Sequence, residues 1–538
     1  MSAYDYIVVG AGSAGCVLAN RLSASGRHRV LLLEAGGSDR RFWITTPIGY
    51  GKTFYDSRVN WKYLTEPDPG TLARVSYWPR GKVLGGSSSI NAMVFVRGQA
   101  EDFDDWAAQG NPGWGWQDVL PYFKKSEDNE CGANAYRAIG GPLHVSDTAG
   151  EVHPLCHVYI QAAREAGLAH NDDFNGAAQE GVGLYQIATR KGRRESSATA
   201  YLRPAMRRAN LRMAIMAQAT RILFEGRQAV GIDYVQAGRR KTALCRGEVL
   251  LACGAVNSPQ LLQLSGVGPS ALLQSAGIEV VQDRPAVGAN LQDHLAMDYF
   301  YRSKKPTLND LLRPWWGKLR VGAHYLFRRR GPLSLSVNQA GGFIRTSPEL
   351  NRPNMQLYFS PLSYIKAPPG KRPLMSPDPY SGFLLSVSPC RPTSRGFLKI
   401  RSPDPFAAPA IHPNYLSTEH DLAEMLAGVG FIRRLAATPA MSALIAEELR
   451  PGPSVRSEAE LMQDIRQRSS TVFHPVGSCR MGPDPENAVV DSALKVHGLA
   501  RLRVADASIF PAITSGNTNA PTVMVGEKGA DLVLRDAP

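Results

Sequence analysis

Residues 4 to 34 constrain this chain more than any other stretch. Tyr4 to Val9 is a short apolar run, and Gly10-Ala11-Gly12-Ser13-Ala14-Gly15 follows it directly. A helical pattern spans Cys16 to Leu22, and a second apolar run, Val30 to Leu33, closes on Glu34. This is the order of a βαβ unit with a dinucleotide fingerprint. Gly10 permits the tight turn out of the strand, Gly12 lets backbone approach a pyrophosphate, and Gly15 lets the helix pack on the strand. The helix N-terminus turns free N–H groups toward the phosphates. Glu34, nineteen residues after Gly15, stands where a carboxylate accepts from ribose hydroxyls. The unit predicts a nucleotide site, and by itself it fits NAD and FAD equally.

A chain of 538 residues holds two large domains or one composite one. Its longest apolar runs, such as Val249 to Ala252, are far too short to span a bilayer. The strand at Tyr4 leaves no room for a secretory signal, which predicts a cytoplasmic protein, with the inner face of a membrane as the alternative surface. The seven cysteines are scattered with no CxxC, arguing against a disulfide framework or a zinc ribbon. Net charge is +14, with basic runs at 190–194, 239–241 and 328–330. Solvated surface accounts for them, an acidic partner or anionic lipid being the sharper alternative. No nucleic-acid motif accompanies them.

Beyond Glu34 and the turn Ala35-Gly36-Gly37, residues 43–79 read as a long irregular excursion over the cofactor. Arg80 to Met93 follows, in which Gly85, Gly86 and three serines offer donors with almost no side-chain bulk. Such a stretch lies flat against a planar polar ligand. Residues 116–125 predict a helix. A second, near Glu151 with Pro154 in its first turn, runs to Ala166 and carries His153 and His157 at i, i+4. No third ligand is suitably spaced, so no metal is assigned. Strand Val249–Ala252, the turn Gly254-Ala255 and a helix N-capped by Ser258 with Pro259 in its first turn predict a second cofactor contact. Val287 to His294 reads as a polar turn with no chemistry of its own.

From about residue 300 to 455 the pattern changes. The runs 355–359, 382–388 and 397–400, separated by Pro- and Gly-rich turns, predict an antiparallel sheet. Residues 308–330 predict one helix carrying Trp315, Trp316 and several basic residues. Packing on a core is the common use of such a helix, and a membrane surface is the other. The last ninety residues return to the first domain, with a strand at 502–506 and a final helix opened by Pro521.

Two polar groups near the C-terminus suit one reaction. His474 is followed by Pro475, which biases it toward extended backbone. Asn517 stands just before the final helix. Hydride leaves an alcohol carbon readily only as the hydroxyl is deprotonated. A neutral imidazole can take that proton, and an amide can hold the developing alkoxide.

Across nearly its whole length the chain resembles the glucose–methanol–choline (GMC) flavoprotein oxidoreductases. Residues 5–34, 81–98, 254–268, 473–482 and 507–528 carry the resemblance. It implies an α/β chain, α+β overall, in which a Rossmann-like FAD domain is interleaved with a substrate domain built on an antiparallel β-sheet with helices. The expected division is FAD domain over 1–155, 196–300 and 456–538, and substrate domain over 156–195 and 301–455. It implies FAD, and His474 and Asn517 as catalytic residues. The expected cofactor contacts are Gly10, Gly12, Ser13, Ala14, Gly15, Glu34 and Ala35 in the fingerprint. In the serine-rich segment they are Arg80, Gly81, Gly85, Gly86, Ser87, Asn91, Ala92, Met93 and Val94, and further along Ala219, Cys253, Gly254, Asp506, Ala507, Asn517 and Thr518. Relatives that attach FAD covalently use a histidine where this chain has Ile90, so non-covalent FAD is expected. The implied activity is oxidation of a primary alcohol to an aldehyde, with electrons passing to a quinone, another acceptor or oxygen. A hydroxynitrile-lyase-like or light-driven fatty-acid enzyme on the same fold is the alternative.

Overall fold

A computed structural model describes residues 3–365 and 376–537. Strand Tyr4–Val9 pairs in parallel with Val30–Leu33 on one side and with the end of Arg239–Leu251 on the other. Leu211–Ala214 extends one edge beside Val30–Leu33, and Leu502–Val504 pairs in parallel alongside Val249–Leu251. All four residues of Val30–Leu33 and the last three of Arg239–Leu251 are buried. Helices cover both faces of such parallel strands, which is why these runs are uniformly apolar. The strand Arg239–Leu251 begins earlier than the predicted Val249. Its first half, including Arg239 to Lys241, pairs antiparallel with Gln228–Gln236 in a solvated meander, so that basic run is surface.

A second sheet is antiparallel throughout, in the order Ile445–Arg450, Leu295–Ser303, Gly382–Pro389, Met355–Ser360, Ala340–Ile344, Gly181–Leu184. Two of the three Pro- and Gly-punctuated runs, 355–359 and 382–388, lie in this sheet, whereas the third forms Phe397–Lys399 and pairs with Ala410–His412 in a separate two-stranded ladder. Strand Leu295–Ser303 crosses the boundary expected at residue 300. Helix Glu419–Ala436 backs the sheet, with Met425, Val429 and Ile432 packed among Met355, Leu357 and Val387.

Three helix predictions need correction. The segment 308–330 is two helices, Leu308–Leu312 and Trp315–Arg328, because Pro314 sits extended between them and has no N–H to continue the first. The helix after Glu151 is Leu155–Glu165. His153 precedes it and accepts from the Leu155 N–H, so His153 and His157 do not share a helical face. The third helix runs Gly254–Leu264 with Pro259 inside it, and Ser258 does not cap it. Proline leaves the Ala255 carbonyl without its usual donor, and the Ser478 hydroxyl supplies one at 2.5 Å.

Candidate active site

One cavity of about 570 Å³ runs between the two sheets. At one end the fingerprint closes on itself. Gly10 has φ +99°, and a Cβ there would lie 2.5 Å from the Ala252 carbonyl oxygen. A Cβ on Gly15 would lie 1.8 Å from that of Gly10. Chain packing alone therefore accounts for these two glycines. Gly12 differs: its φ is −79°, and a Cβ would meet only the Ala252 oxygen at 3.7 Å. Nothing in the chain forbids a Cβ at Gly12, and the space beside it is part of the cavity. A backbone bared toward a cavity at the start of a helix is what a pyrophosphate needs, so the residues present fit a dinucleotide.

Glu34 lines this end and is buried. Its carboxylate accepts from the Ala11 N–H at 2.9 Å and the Gly36 N–H at 2.7 Å, and burial pushes its pKa up to about 7. The serine-rich segment lies directly on the fingerprint, with the Gly85 N–H donating to Ala11 O at 2.8 Å. Buried Arg194 clamps that segment by donating to the Asn91 carbonyl and side chain. Across the cavity, the Asp506 carboxylate accepts from Gly254 N–H at 2.8 Å and from the Ser258 hydroxyl at 2.6 Å. The hydroxyl of Ser13 ties the fingerprint helix to Asn519 at the start of the final helix, Asn519–Arg535.

All the cofactor contacts expected from the sequence line this cavity except Gly15 and Gly85. Gly15 seats the helix on the strand. Gly85, at φ +87°, turns the chain into the serine-rich segment.

At the other end, His474 and Asn517 meet, with Asn517 Nδ2 3.2 Å from His474 Nε2. Two hydrogen-bond chains set the proton positions. His294 Nε2 is 2.8 Å from the Cys390 carbonyl oxygen, which can only accept, so His294 carries its proton there. His294 Nδ1 is then a bare acceptor. It lies 3.0 Å from His474 Nδ1, which must donate to it. From the opposite side, Tyr185 donates to Leu357 O and accepts from Gln356 Nε2, while Tyr358 donates to Gln356 Oε1. Gln356 Nε2 also donates to Asn517 Oδ1 at 3.3 Å, which turns Asn517 Nδ2 toward His474. Both chains leave His474 Nε2 as a lone pair at the cavity. Burial, His294 and Arg80 hold the His474 imidazole neutral, well below its usual range, and burial lowers His294 to about 4.

The backbone of His474 is fixed as firmly as its ring. Asp293 accepts from its N–H at 2.7 Å, and also from the hydroxyls of Tyr415 and Thr471. Burial raises Asp293 to about 6. Arg80 holds the Phe473 carbonyl at 2.6 Å, and Phe473 sits at φ +69°. Asn290 and Gln292 bind the Pro511 carbonyl, and Gln292 pairs with Val476. The turn 287–294, to which the sequence assigned no chemistry, thus clasps the two C-terminal stretches of the site together. Asp293 and His294 are buried, but their partners lie in other segments, so the turn itself carried no signal of this role. For Gln356, buried on a strand of the other domain, the sequence offered none.

The wall beside His474 is aromatic. Phe473 packs edge-on against Phe54, and Phe54 against Tyr50. Ala296, Asp298, Tyr358, Ser360, Leu384 and Ser386 come from alternate positions of three strands of the second sheet.

A nucleotide-binding parallel sheet joined to an antiparallel sheet, with a neutral histidine at the seam, defines an oxidoreductase of the two-domain flavoprotein class. Comparison with known proteins gives the family. GMC oxidoreductase family models match residues 4–296 and 392–526. The chain is 44% identical over 536 residues to an alcohol dehydrogenase [acceptor] of Pseudomonas putida, covering 99% of this chain and 96% of that one. It is 44% identical over 540 residues to the mitochondrial choline dehydrogenase of Mus musculus, covering 98% and 89%. Among solved structures, an Aspergillus oryzae formate oxidase variant studied for FAD modification superposes with a TM-score of 0.92 at 28% identity, covering 99% and 98%. The chain belongs to the GMC oxidoreductases. It is an FAD-dependent enzyme that oxidises alcohols at CH–OH. Among the described residues no helix is long and apolar enough to cross a membrane.

Proposed function

We propose that this enzyme oxidises apolar primary alcohols, aliphatic or aryl, to aldehydes, with His474 as the base and Asn517 as the alkoxide donor. The observation that carries the reading is the single tautomer imposed on His474. FAD held between the fingerprint, the serine-rich segment and Gly254 would supply the hydride acceptor. His474 Nε2 takes the hydroxyl proton, and its Nδ1–H donates to His294 throughout, so the imidazolium that forms is stabilised by an acceptor already in place. Asn517 Nδ2, held beside His474 Nε2 by Gln356, carries the N–H donors that would pass to the alcohol oxygen as His474 takes the proton. The final helix opens beside Asn517, and its N-terminus favours negative charge there. Phe473, Phe54 and Tyr50 exclude water and suit an apolar substituent. The electron acceptor is a quinone or a similar carrier, with oxygen as the alternative.

The test is anaerobic mixing of the yellow enzyme with aliphatic alcohols, aryl alcohols and choline. Bleaching of the flavin band by the first two supports the reading. Bleaching by choline alone would overturn the substrate class, and no bleaching by any would overturn the reaction. Re-admitting air separates oxidase from dehydrogenase by the rate at which the colour returns.

Two further results are expected. His294→Ala should slow flavin reduction roughly 10- to 100-fold at unchanged FAD content, the worth of one hydrogen bond to a charged group, about 1.5–3 kcal/mol. His294→Gln, whose carbonyl can accept the same N–H, should recover part of the loss. FAD should also leave the protein on acid precipitation, because Ile90 offers no nucleophile. Yellow pellets under a colourless supernatant would refute this.

A further inference from the structure

The helix Trp315–Arg328 is amphipathic the wrong way round for a helix that only packs on its own protein. Gly317, Val321 and Tyr325 are buried, one turn apart, and form the face that meets the chain. On the opposite side Trp315, Leu326, Leu319, Ala323, Trp316 and Phe327 follow one another around an arc of about 120° at 3.6 residues per turn. Five of these are among the most exposed apolar side chains described: Trp315 is 77% accessible, Trp316 53%, Leu319 66%, Leu326 54% and Phe327 88%. Scattered apolar residues on a surface need no explanation, whereas a contiguous face of large ones marks an interaction site.

The borders of that face say what covers it. Lys318 stands on one edge and Arg320 on the other, and Arg328, Arg329 and Arg330 close the C-terminal end. The sequence from Arg313 to Arg330 contains no acidic residue. Among the described residues, Lys318, Arg320 and Arg328 have no carboxylate within ion-pair distance, and Arg330 reaches Glu151 only at 3.6 Å. A second copy docked through the same face would set these cations against each other. A surface that is apolar inside and anionic outside satisfies both parts at once, which is the arrangement of an anionic lipid bilayer.

We propose that Trp315–Arg328 lies in the headgroup layer of an anionic membrane, with its Trp–Leu–Phe face among the acyl chains and its cations on lipid phosphates. The preceding helix, Leu308–Leu312, packs with Tyr50, Phe54 and Phe473 of the cavity wall. The docking face is therefore tied to the substrate end of the enzyme, which suits an apolar alcohol or a lipid-soluble acceptor. The docking itself does not depend on which alcohol is oxidised.

The experiment is sedimentation of the holoenzyme with vesicles of phosphatidylcholine alone and of phosphatidylcholine mixed with phosphatidylglycerol. The wild type should sediment with the anionic vesicles, much less with the neutral ones, and less as salt is raised. The double variant Trp316→Ser/Phe327→Ser should bind anionic vesicles about tenfold more weakly or worse. Lys318→Glu/Arg320→Glu should lose the preference for anionic lipid. All three proteins should retain FAD and the same rate of flavin reduction by a soluble alcohol, which shows that the site is intact. A wild type that stays in the supernatant with anionic vesicles would overturn the proposal. So would an apolar double variant that binds as tightly as the wild type. A dimer that dissociates in that variant while vesicles are ignored would assign the face to a second copy instead.

Discussion

His474→Ala should lower the rate of anaerobic flavin reduction by alcohol about 10²- to 10⁴-fold, the range spanned by a positioned general base, while the protein stays yellow. The imidazole lies at the seam between the domains and supports no strand or helix. Its backbone N–H, which Asp293 holds, survives the substitution. FAD content and melting temperature should therefore change little, and the loss should fall on the reductive step. The same experiment across pH adds a second readout. Burial keeps the folded imidazole neutral to well below its usual range, so the wild-type rate should hold down through pH 6.5 and fall only in more acidic buffer, where protonation removes the acceptor. That acid limb should be missing from the slow residual rate of His474→Ala. An unchanged reduction rate would show that another group takes the proton.

Gly12→Val should yield folded protein with almost no flavin. The distinction among the three fingerprint glycines makes the prediction sharp. At Gly10 and Gly15 a Cβ would run into backbone at 2.5 and 1.8 Å, so substitution there damages the βαβ unit itself. At Gly12 the backbone is in an ordinary conformation and the chain leaves room for a Cβ, so a valine there should fill cavity instead of displacing protein. FAD occupancy after purification should fall at least about tenfold. A bound ligand at a hundred times its dissociation constant adds about 2.7 kcal/mol of apparent stability, so melting temperatures must be compared between apoproteins. There Gly12→Val should match the wild type and Gly15→Ala should melt lower. A Gly12→Val protein carrying stoichiometric FAD would mean that the cofactor does not run past this turn.

The sequence made some parts of this enzyme plain because their causes are local. The βαβ unit is readable since an apolar strand, a glycine turn and a helix are adjacent, although the carbonyl that keeps Gly10 bare belongs to the distant Ala252. The antiparallel sheet is readable from short runs between Pro and Gly turns. His474 and Asn517 stand out because Pro475 and the start of a helix mark them.

Other features depend on groups that only folding brings near. Pro259 looked like a helix start because the hydroxyl that makes it tolerable mid-helix belongs to Ser478, 219 positions away in the chain. Pro314 interrupts a hydrophobic pattern that periodicity alone carries across it. Asp293 and His294 looked like turn residues because their partners, His474, Tyr415 and Cys390, come from three other segments. The sequence by itself marked residues 10 to 34 as a dinucleotide fingerprint and singled out His474 and Asn517 as a pair suited to an alcohol. Only the tertiary structure decided which nitrogen of that histidine holds the proton. A hydrogen-bond direction is set at the fixed ends of its chain, here the carbonyls of Cys390 and Leu357, and those ends meet at His474 only when the two sheets close around the cavity.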